Sequence, residues 1–360
     1  MNSQKVYVIA EAGVNHNGDL NLALQLIDAA VYAGANAVKF QTFQTEQLVS
    51  RWAPKAAYQK KNTDIAESQY HMLKKLELSF DDHIILKSYC EKNDIEFLST
   101  PFDLKSTDFL LNILQLSTIK IASGEITTAP LLLQIAKAQP SIILSTGMST
   151  LGDIEQALAI IAFGYLQCDE NPSMDAFMRA YYSTEGQKKL KEKVSLLHCT
   201  SDYPADFNGV NLRAMDTLRS AFNLPVGYSD HTRGISIPIA AVARDAAIIE
   251  KHFTLDRSLP GPDHKASLEP DELKNMVAAI REVECALGNS LKIPTQKELE
   301  TKSVARKSII AVQPIKQGEA FTEKNISLQR PGIGVSPLRY WEYLKRVACQ
   351  DYQAGELINE

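Results

Sequence analysis

Residues 225–253 read PVGYSDHTRGISIPIAAVARDAAIIEKHF, and this stretch contains the pattern that decides the fold. An apolar run at 225–231 predicts a strand, 235–243 has the spacing of an amphipathic helix, and 247–253 predicts a second strand. Both predicted strands end in polar residues, Ser229 to His231 and Glu250 to His252. The segment therefore predicts a strand–helix–strand unit whose parallel strands finish at the same edge of a sheet.

The same alternation runs through the preceding sequence. Six further apolar runs predict strands at Val6–Gly13, Ala37–Phe43, Glu96–Pro101, Thr118–Glu125, Ser141–Gly147 and Val194–Thr200. Helix-like stretches separate them, and Pro270–Leu287 follows the last strand. Eight such repeats predict a (β/α)8 TIM barrel. A doubly wound sheet is the competing fold, but it usually has fewer strands and a G-x-G-x-x-G turn, which the first run, ending in EAGVNHNG at 11–18, lacks.

The alternation of strand-like and helix-like segments ends near the end of the chain. After a polar stretch without periodicity, only short β-like pieces with turns follow. We predict a barrel domain at 1–288, a linker at 289–303 and a small, mainly β domain at 304–360. Within the barrel, 45–78 and 164–193 interrupt the regular spacing, and we interpret the second as a surface decoration.

Composition excludes several classes of protein. The formal net charge is −5 and the basic residues are scattered, which argues against a nucleic-acid surface. The five cysteines lie far apart without C-x-x-C spacing, so we expect neither a zinc ribbon nor a disulfide framework, and a reduced, cytoplasmic setting fits best. No apolar run approaches the length of a membrane span, so we expect no membrane insertion.

Lysines within apolar strands point to an anion site. Lys39 lies in VKF and Lys120 in IKI, where an ammonium group is costly unless it is paired. The carboxyl ends of barrel strands carry the active site in TIM barrels, and hydroxyl groups follow several of these strands. Two lysines with nearby hydroxyls predict a cradle for phosphate or carboxylate.

Two histidines predict a metal site. His231 and His252 close neighbouring strands, so their imidazoles face the same rim. With Glu11 and Asp263 nearby, this set suits an octahedral ion such as Mn²⁺ better than structural zinc. For His198, one strand earlier, we expect a supporting role more than ligation.

Taken together, the motifs resemble the sialic acid synthase family, which joins phosphoenolpyruvate to an amino-sugar aldehyde. The matching strings run along nearly the whole chain: AEAGVNHNGD from Ala10, VKFQTF from Val38, FLSTPFD from Phe97, KIASGE from Lys120, ILSTGM from Ile143, LLHCT from Leu196, GYSDHT from Gly227, EKHFTLD from Glu250 and GPDH from Gly261. In the tail, KSII from Lys307 and QRPGIG from Gln329 resemble the antifreeze-like (SAF) domain of that family.

The resemblance implies a role for each matching residue. Phosphoenolpyruvate ligands are implied at Lys39, Thr100, Lys120, Ser123, Ser145 and Ser229. Sugar contacts are implied at Glu11, Gln41, Tyr203, Asp263 and Arg330. His231 and His252 are implied as ligands of Mn²⁺, with Mg²⁺ or Co²⁺ as alternatives, and Glu11, Glu125, Lys39 and Lys120 as the groups that handle protons and charge. Ser201 departs from the pattern of the family, since some members carry Asn at this position beside phosphoenolpyruvate. The resemblance therefore implies a contact between Ser201 and phosphoenolpyruvate that is shorter or water-mediated here.

The resemblance also implies a homodimer in which the C-terminal domain of one subunit covers the barrel mouth of the other and supplies Arg330 in trans. The principal interpretation is an N-acetylneuraminate synthase acting on N-acetylmannosamine. The alternative is a legionaminate synthase acting on 2,4-diacetamido-2,4,6-trideoxymannose. Two interpretations of other kinds remain: a non-catalytic sugar-binding barrel, and a pyruvate-lyase aldolase that forms a Schiff base on Lys39 or Lys120.

Overall fold

The computed structural model describes residues 5–56, 59–60, 63 and 67–359, and the chain divides into two units, Met1–Gly288 and Asn289–Glu360. Eight parallel strands form one sheet in the first unit: β1 Tyr7–Gly13, β2 Ala37–Thr42, β3 Glu96–Pro101, β4 Thr118–Ile121, β5 Ser141–Ser145, β6 Val194–Cys199, β7 Val226–Asp230 and β8 Ile248–His252. Sequence neighbours are sheet neighbours, β1 pairs with both β2 and β8, and β3 lies beside β4. The predicted eight-stranded α/β barrel is confirmed.

Helices connect the strands of the barrel. They span Leu20–Ala33, Thr45–Leu48, Gln69–Leu76, Phe80–Lys92, Leu104–Asp108, Ala129–Lys137, Leu151–Leu166, Met174–Tyr182, Thr184–Lys193, Ala214–Phe222, Ser236–Val242 and Pro270–Leu287. A wide turn with π-helical bonding, Phe109–Ile113, continues the fifth of these. In the part of the chain that the structure describes, no helix is long and apolar enough to cross a membrane.

The fourth strand is shorter than the sequence predicts. We expected a strand over 118–125, but β4 ends at Ile121 and Ser123–Glu125 forms a 3-10 turn. The amide of Glu125 donates to the carbonyl of Ala122 at 3.0 Å, which closes the turn. The polar residues at this strand end therefore belong to a loop rather than to the sheet.

The two faces of the strands pack against different partners. Outward side chains of the sheet, such as Val8, Ala10 and Val38, join the large core beneath the helices. Inward side chains form a separate apolar layer inside the barrel, made by Ile9, Ala37, Leu98, Ile143, Leu197 and Ile248. Because successive strand residues alternate in direction, the residues two positions further on also face inward, one layer nearer the carboxyl ends of the strands.

The second unit has its own small core. Strands β9 Ser308–Ala311 and β10 Ile326–Gln329 pair antiparallel, and helices span Gln296–Ala305 and Tyr340–Tyr343. The segment predicted as a linker thus contains most of an exposed helix. Ile315 and Tyr352 exchange backbone hydrogen bonds at 2.9 and 2.8 Å. Their side chains are buried in the core of this unit.

A buried histidine makes the barrel sensitive to acid. His16 is 1% exposed, and its Nδ1 accepts a hydrogen bond from the amide of Gly18 at 3.0 Å. Burial lowers its pKa to about 3, with His83 and His264 adding repulsion and Asp82 opposing them. The unfolded chain therefore takes up this proton below about pH 6.5, whereas the folded chain does not until about pH 3. Stability from this residue is present above pH 6.5 and is lost as the pH falls toward 3.

We expect His16→Asn, which retains a hydrogen-bond acceptor, to make the free energy of unfolding less dependent on pH between 6.5 and 4. The slope should fall by up to about 1.4 kcal/mol per pH unit relative to the parent chain. Urea denaturation followed by circular dichroism at several pH values measures both slopes. Equal slopes in the two proteins would contradict the assignment.

Candidate active site

The polar layer of the barrel lies directly above the apolar layer. Two residues beyond Ile9, Ala37 and Ile248 on the same strand faces come Glu11, Lys39 and Glu250. These three residues are at most 4% exposed. Strand alternation thus brings charged groups from β1, β2 and β8 together inside the barrel.

Two lysines and two carboxylates form the centre of this layer. Lys39 Nζ lies 2.5 Å from Glu11 Oε2 and 3.6 Å from Glu250 Oε2. Lys120 Nζ lies 3.5 Å from Glu250 Oε1. Glu250 therefore stands between the two ammonium groups, and an arriving anion would meet both lysines at one place.

Hydroxyl groups surround the lysines. Lys39 Nζ donates to Thr100 Oγ1 at 3.1 Å, and Lys120 Nζ donates to Ser145 Oγ at 2.7 Å. Ser229 Oγ donates to Glu250 Oε1 at 2.7 Å. These hydroxyls can exchange their present partners for the oxygens of a phosphate or carboxylate group.

The two carboxylates have opposite electrostatic environments. Burial raises the pKa of Glu11 to about 7, and the attraction of Lys39 only partly offsets it. Burial also acts on Glu250, but Lys120 and Lys39 together outweigh it and lower its pKa to about 2. Two carboxyl groups whose pKa values differ in this way suit different roles. Glu250 suits the role of a fixed anion, and Glu11 that of a group able to exchange a proton near neutral pH.

The two lysines also differ. Burial acts against the charged form of Lys39, but Glu11 and Glu250 more than compensate and its pKa is raised. For Lys120 burial is the dominant cause and the pKa is lowered, because the attraction of Glu250 is opposed by the repulsion of Lys39. Lys120 is therefore the ammonium group that an arriving anion would stabilise most.

A pair of imidazoles lies at the rim above this layer. The rings of His231 and His252 have centroids 5.6 Å apart, and the ring of Tyr203 lies 4.1 Å from that of His231. His231 Nδ1 lies 2.6 Å from the carbonyl oxygen of Thr200, so it is the donor and Nε2 is left as the acceptor. Burial lowers the pKa of both histidines, and that of His252 falls further because His231 is nearby.

These imidazoles fit a divalent metal ion with few protein ligands. Both are neutral at physiological pH, as ligation requires, and the buried Nδ1 of His252 has no hydrogen-bond partner among the residues that the structure describes. Within the described ranges, no three His, Cys, Asp or Glu side chains group closely enough to hold a metal. An ion here would take two imidazoles and complete its coordination with oxygens of substrate or water.

All these groups line one cavity of about 500 Å³. Its lining includes every ligand and catalytic residue that we predicted in the barrel: Glu11, Lys39, Gln41, Thr100, Lys120, Ser123, Glu125, Ser145, Ser201, Tyr203, Ser229, His231, His252 and Asp263. Arg330 belongs to the second unit, where its Nε donates to the carbonyl of Ala305 at 2.9 Å. The predicted role of Arg330 in a homodimer stays a prediction.

The outer lining adds further polar groups. Gln41 Nε2 donates to Glu11 Oε1 at 3.3 Å, and Glu125 Oε2 accepts from Thr128 Oγ1 at 2.8 Å. Ser123 Oγ accepts from the amide of Gly147 at 2.9 Å. Burial raises the pKa of Asp263 to about 6 and also raises that of Glu125. These groups can meet the polar parts of a second substrate.

His198 lies apart from the imidazole pair. Its Nε2 bonds the carbonyl of Val210 at 2.7 Å, and its ring tilts against that of Tyr228 on the outer face of the barrel wall. The cavity lining does not include it. We expected His198 to support the proposed metal ligands, but the contacts of its ring are with Val210 and Tyr228 instead.

Glu250 is the central residue that sequence reasoning left out of the site. It appeared only as one polar residue at the end of the eighth strand, between an isoleucine and a lysine. A usable signal was its position two residues before His252, which places both side chains on the same strand face. Its contact with both lysines depends on how β2, β4 and β8 meet around the barrel, which the linear pattern does not give.

An α/β barrel that gathers two lysines, two carboxylates and an imidazole pair at the carboxyl ends of its strands defines the class, a barrel enzyme with its active site in this cavity. The sequence matches the NeuB family over residues 26–292. The chain belongs to the NeuB family.

Similar proteins cover nearly the whole chain. The N,N'-diacetyllegionaminic acid synthase of Campylobacter jejuni is 49% identical over 357 residues, which is 99% of this chain and 100% of that protein. The enzyme of the same name from Legionella pneumophila is 45% identical over 335 residues, covering 93% and 88% of the two chains. A crystal structure of the N-acetylneuraminic acid synthetase of Leptospira borgpetersenii in complex with citrate superposes with a TM-score of 0.66 at 35% identity, covering 82% of this chain and 90% of that one.

Proposed function

We propose that this protein condenses phosphoenolpyruvate with 2,4-diacetamido-2,4,6-trideoxymannose, giving a nine-carbon sugar acid of the legionaminic type and phosphate. The observation that carries the reaction is the convergence of Lys39 and Lys120 on Glu250 beneath His231 and His252. The choice of sugar rests on the two synthases named above. They favour the legionaminate alternative over our principal interpretation, an N-acetylneuraminate synthase that uses N-acetylmannosamine.

Phosphoenolpyruvate would bind in the polar layer. Its phosphate and carboxylate together need several cationic and hydroxyl partners, and Lys39 and Lys120 with their hydroxyl neighbours provide them. An anion between the lysines would take over part of the pairing now made by Glu250. We assign the phosphate and carboxylate contacts to Lys39, Thr100, Lys120, Ser123, Ser145 and Ser229.

The bond changes follow from the two substrates. The methylene carbon of phosphoenolpyruvate attacks the aldehyde carbon of the open-chain sugar and forms a C–C bond, and the aldehyde oxygen takes up a proton. Water then adds to the former enol carbon, and phosphate leaves by cleavage of the C–O bond. Glu11, with its raised pKa, is placed to hold or release a proton at this centre, and Glu125 is the second acid in the cavity.

The metal we propose is Mn²⁺, held by His231 and His252. When bound, such an ion polarises and orients a carbonyl oxygen. The hydrogen bond from His231 Nδ1 to the carbonyl of Thr200 fixes that ring so that Nε2 faces the cavity. Tyr203 packs against the ring and limits its rotation.

We expect His252→Ala to weaken Mn²⁺ binding by at least about 100-fold, because it removes one of two proposed protein ligands. Calorimetric titration of Mn²⁺ into the metal-stripped protein measures this directly. Sugar-dependent phosphate release should be lost, while the denaturation midpoint stays close to that of the parent chain. His71→Ala, an exposed histidine outside the cavity, is the matched control. Mn²⁺ affinity equal to that of the parent chain would contradict the metal assignment.

Oxygen labelling tests the reaction class. With ¹⁸O in the bridging position of phosphoenolpyruvate, cleavage of the C–O bond leaves the label in the released phosphate. Mass spectrometry should show this labelled phosphate together with one equivalent of nine-carbon acid. A pyruvate-lyase aldolase on Lys39 or Lys120 would instead be trapped by borohydride with pyruvate, without metal. A trapped lysine adduct would replace the synthase proposal with the aldolase one.

A further inference from the structure

An apolar wall stands on one side of the cavity, apart from the barrel core. Val14, Phe43, Met72 and Leu76 are buried together, and half-buried side chains pack against them. We define the wall by the members that the argument uses: Val14, Phe43, Leu48, Met72, Leu73 and Phe102. Each of these side chains lines the cavity that also holds the lysines and imidazoles.

Strand register places the wall one layer nearer the mouth than the polar groups. Gln41 pairs with Thr100 across β2 and β3, and Phe43 and Phe102 follow each of them by two residues. Two residues of strand advance roughly 7 Å. The two phenyl rings meet edge to face with centroids 6.3 Å apart. The cavity is therefore polar at its floor and mainly apolar on this side of its mouth, where Gln59 and Gln69 also line it.

The wall is held in place by hydrogen bonds to its supporting loops. The amide of Gln44 donates to Asp103 Oδ2 at 2.8 Å, which ties the loop after β2 to the loop after β3. The amide and hydroxyl of Thr45 donate to Glu77 Oε2 at 2.9 and 2.7 Å. These partly buried contacts join the short helix that carries Leu48 to the end of the helix that carries Met72 and Leu73.

The helix Gln69–Leu76 packs closely against the loop after β1. Gly18 has a φ of +75°, and a β-carbon there would lie 2.2 Å from the carbonyl oxygen of Lys75. Only glycine permits both the backbone conformation and the contact. The helix Gln69–Leu76 is thus docked onto the barrel rim.

We propose that this apolar wall receives the end of the sugar remote from the reacting aldehyde and selects a C6 methyl group over a C6 hydroxymethyl group. The inference rests on the proposed function, which requires the aldehyde to lie between the lysines at the floor and the imidazoles at the rim. The carbon chain then extends toward the mouth, where C6 meets the wall. The wall side chains are apolar apart from the weak acceptor Sδ of Met72, which lies 3.7 Å from the donor Thr63 Oγ1, so they cannot replace the water lost by a C6 hydroxyl group.

The preference of the enzyme for the 6-deoxy sugar has an upper limit. An apolar pocket discriminates against one added hydroxyl group by at most about 100-fold. We therefore expect a preference of about 10-fold to 100-fold in kcat/KM for the 6-deoxy sugar. A polar group introduced into the wall should reduce this preference by about 10-fold, because it gives the hydroxyl a partner and removes apolar contact with the methyl group.

The test compares two sugars that differ only at C6, 2,4-diacetamido-2,4,6-trideoxymannose and 2,4-diacetamido-2,4-dideoxymannose. Steady-state kcat/KM is measured for the parent chain, for Leu73→Asn and for Leu48→Asn, which change half-buried residues on two different helices of the wall. Leu133→Asn, a half-buried leucine on Ala129–Lys137 that does not line the cavity, is the matched control. Two wall variants are used so that poor folding of one does not end the test.

The expected result is a 6-deoxy preference in the parent chain that falls about 10-fold in the wall variants and stays unchanged in the control. Turnover of both sugars without preference, or a preference that both wall variants retain, would overturn the role of the wall and leave the proposed function intact. Turnover of neither sugar would reject the proposed function, and the role of the wall with it.

Discussion

Lys120→Met is expected to lower kcat/KM for phosphoenolpyruvate by about 1,000-fold, since removing one preorganised donor from a charged site typically costs a factor of 10² to 10³. Lys120 is 3% exposed, faces the cavity and bonds Ser145 Oγ at 2.7 Å. Methionine keeps much of the volume but removes the ammonium group. Phosphate release at varied phosphoenolpyruvate, with sugar and Mn²⁺ in excess, measures the effect.

The control for this variant is Lys105→Met, an exposed lysine on Leu104–Asp108 that does not line the cavity. It should keep the kinetics of the parent chain. Mn²⁺ affinity should also be retained in Lys120→Met, because the imidazoles are unchanged. A kcat/KM within threefold of the parent value would show that Lys120 does not contact the anion.

Lys251→Met is expected to destabilise the barrel by about 3–5 kcal/mol, the usual cost of removing one partner of a buried ion pair. Lys251 Nζ lies 2.5 Å from Asp230 Oδ2, and both side chains are fully buried. Asp230 also accepts hydrogen bonds from Tyr228 Oη at 2.9 Å and from the amide of Thr232 at 3.0 Å. The substitution leaves a carboxylate buried without its cation. Urea denaturation of the full chain measures the loss.

A second substitution separates the charge effect from packing. In the double variant Lys251→Met with Asp230→Asn, the amide oxygen can still accept from Tyr228 and Thr232, but no charge is buried. We expect the double variant to recover about 2 kcal/mol relative to Lys251→Met alone. Lys92→Met, at an exposed position, should change stability by less than about 0.5 kcal/mol. A double variant no more stable than the single one would locate the loss in packing.

The strands of the barrel were predictable because each is buried on both faces. In β1, Val8 and Ala10 face the helices while Ile9 faces the barrel interior, so the strand appears as a continuous apolar run. Strand ends were less predictable. Ser123 to Glu125 continued the pattern of β4 in the sequence, but they turn away into a 3-10 loop that only the backbone hydrogen bonds reveal.

The residues of the site were easier to predict than their contacts. The lysines at 39 and 120 indicate a site because burying an ammonium group in an apolar strand costs free energy. Their shared contact with Glu250 could not be predicted, because it depends on the closure of the sheet. The pairing of Lys251 with Asp230 depends on the register between β7 and β8. The apolar wall was hidden because the segment after β2 is rich in Lys and Gln, and its apolar residues converge only when it docks onto the rim.

The most direct test of the central claim is phosphate release from phosphoenolpyruvate by the metal-stripped protein, with Mn²⁺ restored and the sugar varied. The account predicts release only when Mn²⁺ and a sugar are both present, faster with 2,4-diacetamido-2,4,6-trideoxymannose than with N-acetylmannosamine, and one phosphate for each nine-carbon acid formed. Equal release without any sugar, or no release with either sugar, would contradict it.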